Sequence, residues 1–366
     1  MKTQKLLQAI QFVRGALTAD TAYAGPFFIT MEVTERCNLR CQACPYHSPD
    51  LSPAVNNHPP RDIPYELVLR VCSEMKSSGG WRLQLIGHGE PLLHPRIIDI
   101  IAAGKAAGLE VLLVTNGTLL DEERVHSLVA LGLDKIQVSL WANSPEDYER
   151  NHPGTPAAMF DKVVRGVELL VKEKSVQGKM RPRIFLHQTI TRYDYGNIER
   201  FADVAMATGC DAISFSPLNS HRGKMSAHAL SAEEVTAVCR TLEQLRARLC
   251  RTRLAHNIDD VLACYRAGRM IWEKYGCYIG WIDARVRING DMAPCNLCEL
   301  SLGNLGQDSL QEIWNGPGFR KFRRRVRTPQ GLRSLNAHCD CEYCCHLPAN
   351  RRLHPFFRAL APLTRK

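Results

Sequence analysis

Three cysteines stand close together in Thr34-Glu35-Arg36-Cys37-Asn38-Leu39-Arg40-Cys41-Gln42-Ala43-Cys44-Pro45-Tyr46, with the spacing C-x3-C-x2-C. Thiolates so near in sequence can wrap one metal centre, and soft sulfur ligands select zinc, copper or iron-sulfur clusters. A structural tetrahedral zinc wants four protein ligands. The loop therefore either borrows a fourth ligand, for which His47 is placed as C-x3-C-x2-C-x2-H, or leaves one metal position open for a small molecule. Two further loops carry polar chemistry. In Gly87-His88-Gly89-Glu90-Pro91 the glycines permit close backbone approach and Glu90 offers a carboxylate to a cationic group; Thr115-Asn116-Gly117 ends another apolar run. A second collection of thiols lies near the end, with Cys277, Cys295, Cys298, Cys339, Cys341, Cys344 and Cys345; by spacing alone it also fits a zinc ribbon. Cys72, Cys210, Cys239, Cys250 and Cys264 are scattered singly and read as ordinary buried thiols.

These loops need a scaffold, and the first two-thirds of the chain supplies one by alternating strand and helix. Apolar, β-branched runs occur at Phe27–Val33, Leu83–Ile86, Val111–Thr115, Lys135–Leu140, Ile184–Ile190 and Ala212–Pro217. Helical patterns lie between them, near Tyr65–Ser77, Pro95–Ala107, Asp121–Leu131, Ala157–Lys174 and Asn197–Thr208. Such alternation predicts a parallel α/β sheet with its ligand site at the carboxyl ends of the strands. A further helix, Ser231–Leu249, opens on a capping box formed by Ser231 and Glu234.

The chain has 366 residues, 45% hydrophobic and 23% charged, which excludes collagen-like and wholly disordered architectures and leaves room for two domains. Fifteen cysteines bunched at a few places suggest metal and a reducing, cytoplasmic compartment rather than a disulfide scaffold. No apolar run reaches the roughly 18 residues of a membrane span. Leu6, Ile10 and Val13 fall on one helical face, so residues 1–26 read as an amphipathic helix capping the fold rather than a signal peptide. The net charge of +10 is densest at Arg320–Arg327 and in a basic tail over 349–366 that includes Arg351, Arg352, Arg358, Arg365 and Lys366; it reads as solvated surface, with nucleic-acid binding unlikely.

Taken together, Cys37-Asn38-Leu39-Arg40-Cys41-Gln42-Ala43-Cys44, the Gly87–Pro91 stretch and six βα units resemble the radical S-adenosylmethionine superfamily. The resemblance implies a partial (β/α)6 parallel barrel over 27–230, connecting helices over 231–264 and a small cysteine-rich auxiliary-cluster domain over 265–348. By that likeness Cys37, Cys41 and Cys44 hold a 4Fe-4S cluster whose fourth iron chelates S-adenosylmethionine. Glu90 and the Gly87, His88 and Gly89 backbone would take its ammonium, and Asn116, Ser139 and Arg150 would complete its binding. Ala43 and His88 depart from the family pattern, and Tyr46 is placed to stand in for an aromatic residue before the third cysteine. Gly290-Asp291-Met292-Ala293-Pro294-Cys295 and the segment from Gly303-Asn304-Leu305 to Ile313-Trp314-Asn315 resemble the SPASM and Twitch extensions. That likeness implies one auxiliary iron-sulfur cluster on Cys277, Cys295, Cys341 and Cys344, with Cys298, Cys339 and Cys345 as substitutes.

The expected reaction is hydrogen abstraction from a small polar metabolite, a sugar or aminocyclitol, because few residues precede the first strand. Net oxidation through the auxiliary cluster is its expected outcome, with a flavodoxin or ferredoxin as reductant. An epimerisation would need a hydrogen donor, for which Cys298 and Cys210 are the candidates. A peptide maturase or epimerase of the same family is the alternative, and a zinc-stabilised nucleic-acid-binding protein is the alternative of another class. His88, Asn116, Gln188 and Ser216 are candidate substrate contacts at strand ends.

Overall fold

The computed structural model describes residues 10–15, 17–18, 20–51, 58–268 and 274–360. Six strands form in the expected order: β1 Phe28–Met31, β2 Arg82–Leu85, β3 Glu110–Thr115, β4 Lys135–Ser139, β5 Arg183–Ile190 and β6 Ala212–Pro217. Each pairs in parallel with the next, giving an open (β/α)6 partial barrel. The crossovers are α1 Tyr65–Ser78, α2 Ile97–Ala106, α3 Glu122–Ala130, α4 Pro145–Asn151 with α5 Met159–Val176, and α6 Ile198–Thr208; α7 Ala232–Leu249 and α8 Ile258–Ala267 follow β6.

Strand burial explains why these runs pair as they do. In β3, Val111 and Leu113 are fully buried under the helices while Leu112 and Val114 on the other face are half-buried. Gly104 lets α2 lie close on that sheet, since a Cβ there would meet Val111 Cγ2 at 2.8 Å. The helices start where the sequence signals them: Asp121 caps α3, and Ser231 with Glu234 closes the capping box of α7. Helix α4 escaped the periodicity reading because it is short, although Ser144 at its N-cap and Pro145 at its first position mark its start.

The C-terminal segment does not stand apart from this sheet. Its strands β7 Asp283–Val286 and β8 Met292–Ala293 extend it, so that the order is β6-β5-β4-β3-β2-β1-β7-β8. β7 lies parallel to β1, pairing Phe28 with Asp283 through Met31 with Val286, and β8 returns antiparallel. Helices α9 Leu310–Trp314, α10 Pro317–Val326, α11 Pro329–Arg333 and α12 Leu347–Leu360 complete the chain. The Trp314-Asn315 pair fastens the approach to β1. The Trp314 indole donates to Ala24 O at 2.8 Å, while the Asn315 carboxamide accepts from Ala22 N at 3.0 Å and donates to Ala22 O at 2.9 Å.

Both ends of the chain differ from expectation. Residues 10–15 are helical, but Ile10 is 56% exposed, and Phe12 packs inward instead, against Phe27, Phe356 and Phe357; Leu6 lies outside the described residues. The segment expected as a basic tail from residue 349 is helical through Leu360, because Phe356 and Phe357 give α12 an apolar face to dock; Arg365 and Lys366 are outside the described residues. Among the described residues no helix is long and apolar enough to cross a membrane.

Trp314 is fully buried against Phe319 and the Arg323 guanidinium. Trp314→Ala should therefore cost about 3–5 kcal/mol of unfolding free energy. Urea denaturation measures it, and a loss under about 1 kcal/mol would show that the site collapses without a cavity.

Candidate functional site

The cysteine loop leaves β1 and is closed at its neck by charge pairing. Arg61 binds Glu35 at 2.8 Å, Asp62 accepts from both Thr34 Oγ1 and Arg36 Nη2 at 2.6 Å, and Ile63 N returns to Val33 O at 2.9 Å. Inside it, Cys44 N donates to Cys41 O at 3.0 Å and Gln42 N to Asn151 O at 2.9 Å. Burial pushes the Cys37 thiol up to about 11 and raises Cys44 as well. Cys41 rises further, first through burial and then through its neighbours Cys44 and Cys37. Three thiolates so placed repel one another in a poorly solvated loop, and a cationic iron centre removes both penalties. The donor set thus fits a cluster. His47 does not join it, since its Nε2 pairs with the His88 carbonyl at 2.7 Å. Among the described residues no three His, Cys, Asp or Glu groups converge on a single-ion site.

The loop after β2 holds the cysteine loop by backbone contact. Gly89 N donates to Thr34 O at 3.0 Å and Glu90 N to Arg36 O at 2.7 Å. A Cβ on Gly89 would sit 2.0 Å from Arg36 O, so glycine is required here for close approach to the cysteine loop. Glu90 is held from three sides. Its side chain is buried, and its carboxylate accepts from Leu92 N at 3.0 Å, Thr115 Oγ1 at 2.6 Å and Asn116 N at 2.6 Å. These three bonds tie the ends of β2 and β3 together and leave one acceptor position of the carboxylate open.

Asn116 is likewise a tie, donating to Asn38 Oδ1 at 2.9 Å and accepting from Thr118. Ser139, half-buried at the end of β4, has no hydrogen bond among the described residues and keeps its hydroxyl available. Arg150 binds Asp147 at 2.7 Å and donates to Tyr193 O at 3.1 Å, both through Nη2. Close by, Gln42, Trp141, Asn151 and Asp194 surround a pit of about 10 Å³. Gln42 Oε1, Trp141 Nε1 and Asn151 Oδ1 are buried there without hydrogen-bond partners among the described residues, which is the arrangement a polar ligand or water would satisfy. Sequence patterning held no sign of these groups, because single polar residues on loops have no periodicity.

The second thiol group gathers at the β1 edge. The Cys295 thiol is raised first by burial and then by Cys345, Cys341 and Cys277; Cys344 is raised in the same way by burial and the same group. Five thiols thus share one neighbourhood. Cys298 and Cys339 are drawn against each other as a disulfide pair beside this group. Cys210 is buried and turned to the Ala205 and Ala212 carbonyls. Cys250 is exposed and Cys239 half-buried, unlike the buried thiols expected. Gly290, at φ 83°, makes the turn before Cys295, and Asn304 closes it by donating to Asp291 Oδ1 at 2.8 Å.

Arg285, which the sequence reading missed, joins the two thiol groups. Its guanidinium forms an ion pair with Glu32, the two side chains being 8% and 3% exposed. It also donates to Tyr46 Oη at 3.2 Å, His88 Nε2 at 3.3 Å and Asn296 O at 2.8 Å. Tyr46 stacks on His88 at 3.9 Å. Between the groups lies a cavity of about 300 Å³, with Ala43 and Pro45 on one side, Leu297, Cys344 and Cys345 on the other, and Trp141 and His221 in its walls. Ser216 lines it, whereas Gln188 is fully buried in β5 and His88 faces Arg285.

Comparison with known proteins follows the same division. The profile described as Radical SAM superfamily matches residues 31–192, and that described as Iron-sulfur cluster-binding domain, the SPASM profile, matches 277–345. The chain is 27% identical to a PqqA peptide cyclase of Ruegeria pomeroyi, over 89% of this chain and 83% of the relative. It is 28% identical to an AdoMet-dependent heme synthase of Methanosarcina barkeri, over 87% and 90%. Streptococcus suis SuiB bound to S-adenosylmethionine shares the fold with a TM-score of 0.67 at 16% identity, covering 89% of this chain and 74% of that one. Native anSMEcpe with bound AdoMet shares it at 0.63 and 17%, covering 93% and 100%. Neither profile supports a zinc-stabilised nucleic-acid-binding protein. Each contains one of the two thiol groups, and the chain belongs to the radical S-adenosylmethionine superfamily, with a C-terminal SPASM iron-sulfur domain.

Proposed function

We propose that the chain modifies a peptide, and that the observation carrying this reading is the cavity between the two thiol groups. Its walls are mostly apolar, with Ala43, Pro45, Trp141, Phe215, Leu218 and Val261 among them. A polyhydroxylated sugar or aminocyclitol buried there would leave hydroxyls unpaired, whereas an amino-acid side chain with an apolar body would not. The relatives named as peptide cyclases favour the same reading over the small-metabolite one.

Cys37, Cys41 and Cys44 would hold the 4Fe-4S cluster, leaving one iron for S-adenosylmethionine, and Cys277, Cys295, Cys341 and Cys344 the auxiliary cluster, with Cys298, Cys339 and Cys345 as substitutes. When bound, the first cluster and S-adenosylmethionine supply one-electron chemistry that removes a hydrogen atom from a substrate C–H bond. The Gly87–Gly89 backbone and Ser139 would orient the cosubstrate, and the apolar walls keep water from the reacting carbon. Net oxidation, with the auxiliary cluster taking the second electron and a flavodoxin or ferredoxin supplying the first, completes the proposal.

Three measurements test it. Replacing Cys37, Cys41 and Cys44 together by Ala should abolish reductive formation of 5′-deoxyadenosine while part of the iron stays bound; unchanged formation would sink the ligand assignment. Glu90→Gln sets an amide donor against the donors Leu92 N, Thr115 and Asn116 N, and should lower stability by about 1–3 kcal/mol in urea titration. A loss of S-adenosylmethionine affinity without loss of stability would assign Glu90 to the ammonium. For the substrate class, reduced holoenzyme given a mixed peptide library should form 5′-deoxyadenosine together with peptides lighter by two hydrogens, and an aminocyclitol mixture should give neither above background. The opposite result restores the small-metabolite reading.

A further inference from the structure

Among the described residues, four that are not glycine have left-handed backbones: Trp141 at φ 48°, His221 at 46°, Arg222 at 58° and Tyr343 at 50°. Three of them line the cavity between the thiol groups, and the fourth follows His221 directly. Bulky side chains rarely adopt this conformation, and where they do the surrounding structure must hold them in it. Here the holding is visible. Asn151 Nδ2 donates to Trp141 O at 2.8 Å, Asn219 Oδ1 accepts from His221 N at 2.9 Å, and Asp340 accepts from Arg222 N at 2.5 Å. Asn219 in turn donates to Glu342 O at 2.7 Å, beside Tyr343. Three separate loops, after β4, after β6 and within the C-terminal cysteines, are thus bent to turn three rings into one space.

The polar groups of that space are nearly all in use. Thr189 meets Ser216 at 3.4 Å, Ser216 meets His187 at 3.3 Å, Asp260 meets Arg351 at 3.5 Å, and Asn257 makes two bonds of 2.8 Å to the Phe215 backbone. Among the described residues the His221 ring has neither a hydrogen bond nor an ion pair, only an edge-on aromatic contact with Tyr46 at 6.3 Å. Burial, reinforced by Arg285 and Lys224 and opposed by Asp340 and Glu299, holds its imidazole below the usual range, so at neutral pH it offers one donor and one acceptor.

We propose that Trp141, His221 and Tyr343 are the specificity walls of the substrate site and select a residue with a flat apolar body and one uncharged hydrogen-bonding end, the class of the tyrosine phenol. The rings match the flat body. The free imidazole matches a hydroxyl, whereas a carboxylate would meet Asp260 and no lysine or arginine among the lining residues. This assignment rests on the peptide reading above.

Calorimetric titration of anaerobic, unreduced, full-length holoenzyme with acetylated, amidated Gly-Tyr-Gly, Gly-Phe-Gly and Gly-Asp-Gly tests it without turnover. The tyrosine peptide should bind about 3–10-fold more tightly than the phenylalanine one, the range of a single neutral hydrogen bond, and the aspartate peptide should not bind measurably. Glycine accommodates the left-handed backbone, and His221→Gly deletes the ring, so it should erase the Tyr over Phe preference without lowering the melting temperature. Trp141→Gly should weaken both aromatic peptides by about tenfold or more. Retention of the preference in His221→Gly, or loss of Phe binding together with a lowered melting temperature, overturns the assignment in favour of a structural role. A parallel titration with an inosamine separates the two readings. If the inosamine binds and no peptide does, the peptide reading fails. The walls then stand only if both variants weaken the inosamine.

Discussion

A guanidinium buried against a carboxylate at the junction of β1, β7 and two functional loops sets the geometry of everything above it. Arg285 reaches Glu32 at the end of β1, Tyr46 in the cysteine loop, His88 in the loop after β2 and the carbonyl of Asn296 beside Cys295. Burial works against the Arg285 charge, but Tyr46 and Glu32 more than offset it and hold the group protonated. An ion pair in this setting contributes little net stability, yet removing one partner strands the other at a cost of about 3–5 kcal/mol. Its value is positional. One planar group with five donors fixes the mutual placement of four segments that approach from different parts of the chain.

The rest of the site is held by the same economy of close contact. The backbone of the β2 loop lies directly on the cysteine loop because Gly89 has no Cβ, and Glu90 turns that contact into a joint by binding β3. The carboxylate of this motif is, in three dimensions, also a brace between strand ends. The C-terminal motif behaves alike, with Trp314 and Asn315 gripping the backbone of Ala22 and Ala24.

What was legible in the sequence follows from what leaves a local signature. The six strands and their helices declared themselves through burial on a regular period, and Ser231 with Glu234 through a spacing that has one common use. The thiols of both groups were visible because their chemistry is rare and their spacing tight. β7 was invisible, since Asp283-Ala284-Arg285-Val286 is buried throughout yet carries two charged residues in four, and only tertiary partners make that tolerable. Trp141 and His221 were missed for a related reason. Their importance lies in a backbone conformation, and residue type alone does not announce a left-handed tryptophan.

The pairing of β7 with β1 also orders events in time. β1 is synthesised before the other strands of its sheet, but its outer edge is completed by residues that follow it by more than 250 positions. Closing a contact of that sequence separation is slow compared with forming the intervening βα units, each of which pairs with its neighbour. Until β7 arrives, Glu32 lacks Arg285, and the cysteine loop that follows it is fastened at its neck, to the loops after β2 and β3 and to Asn151 at the end of α4. The nascent protein therefore passes through a stage in which the barrel exists and the floor of its reactive loop does not. Cluster delivery in that interval would meet an open, solvated set of thiols, and the arrival of the chain's last third would seal what had been delivered.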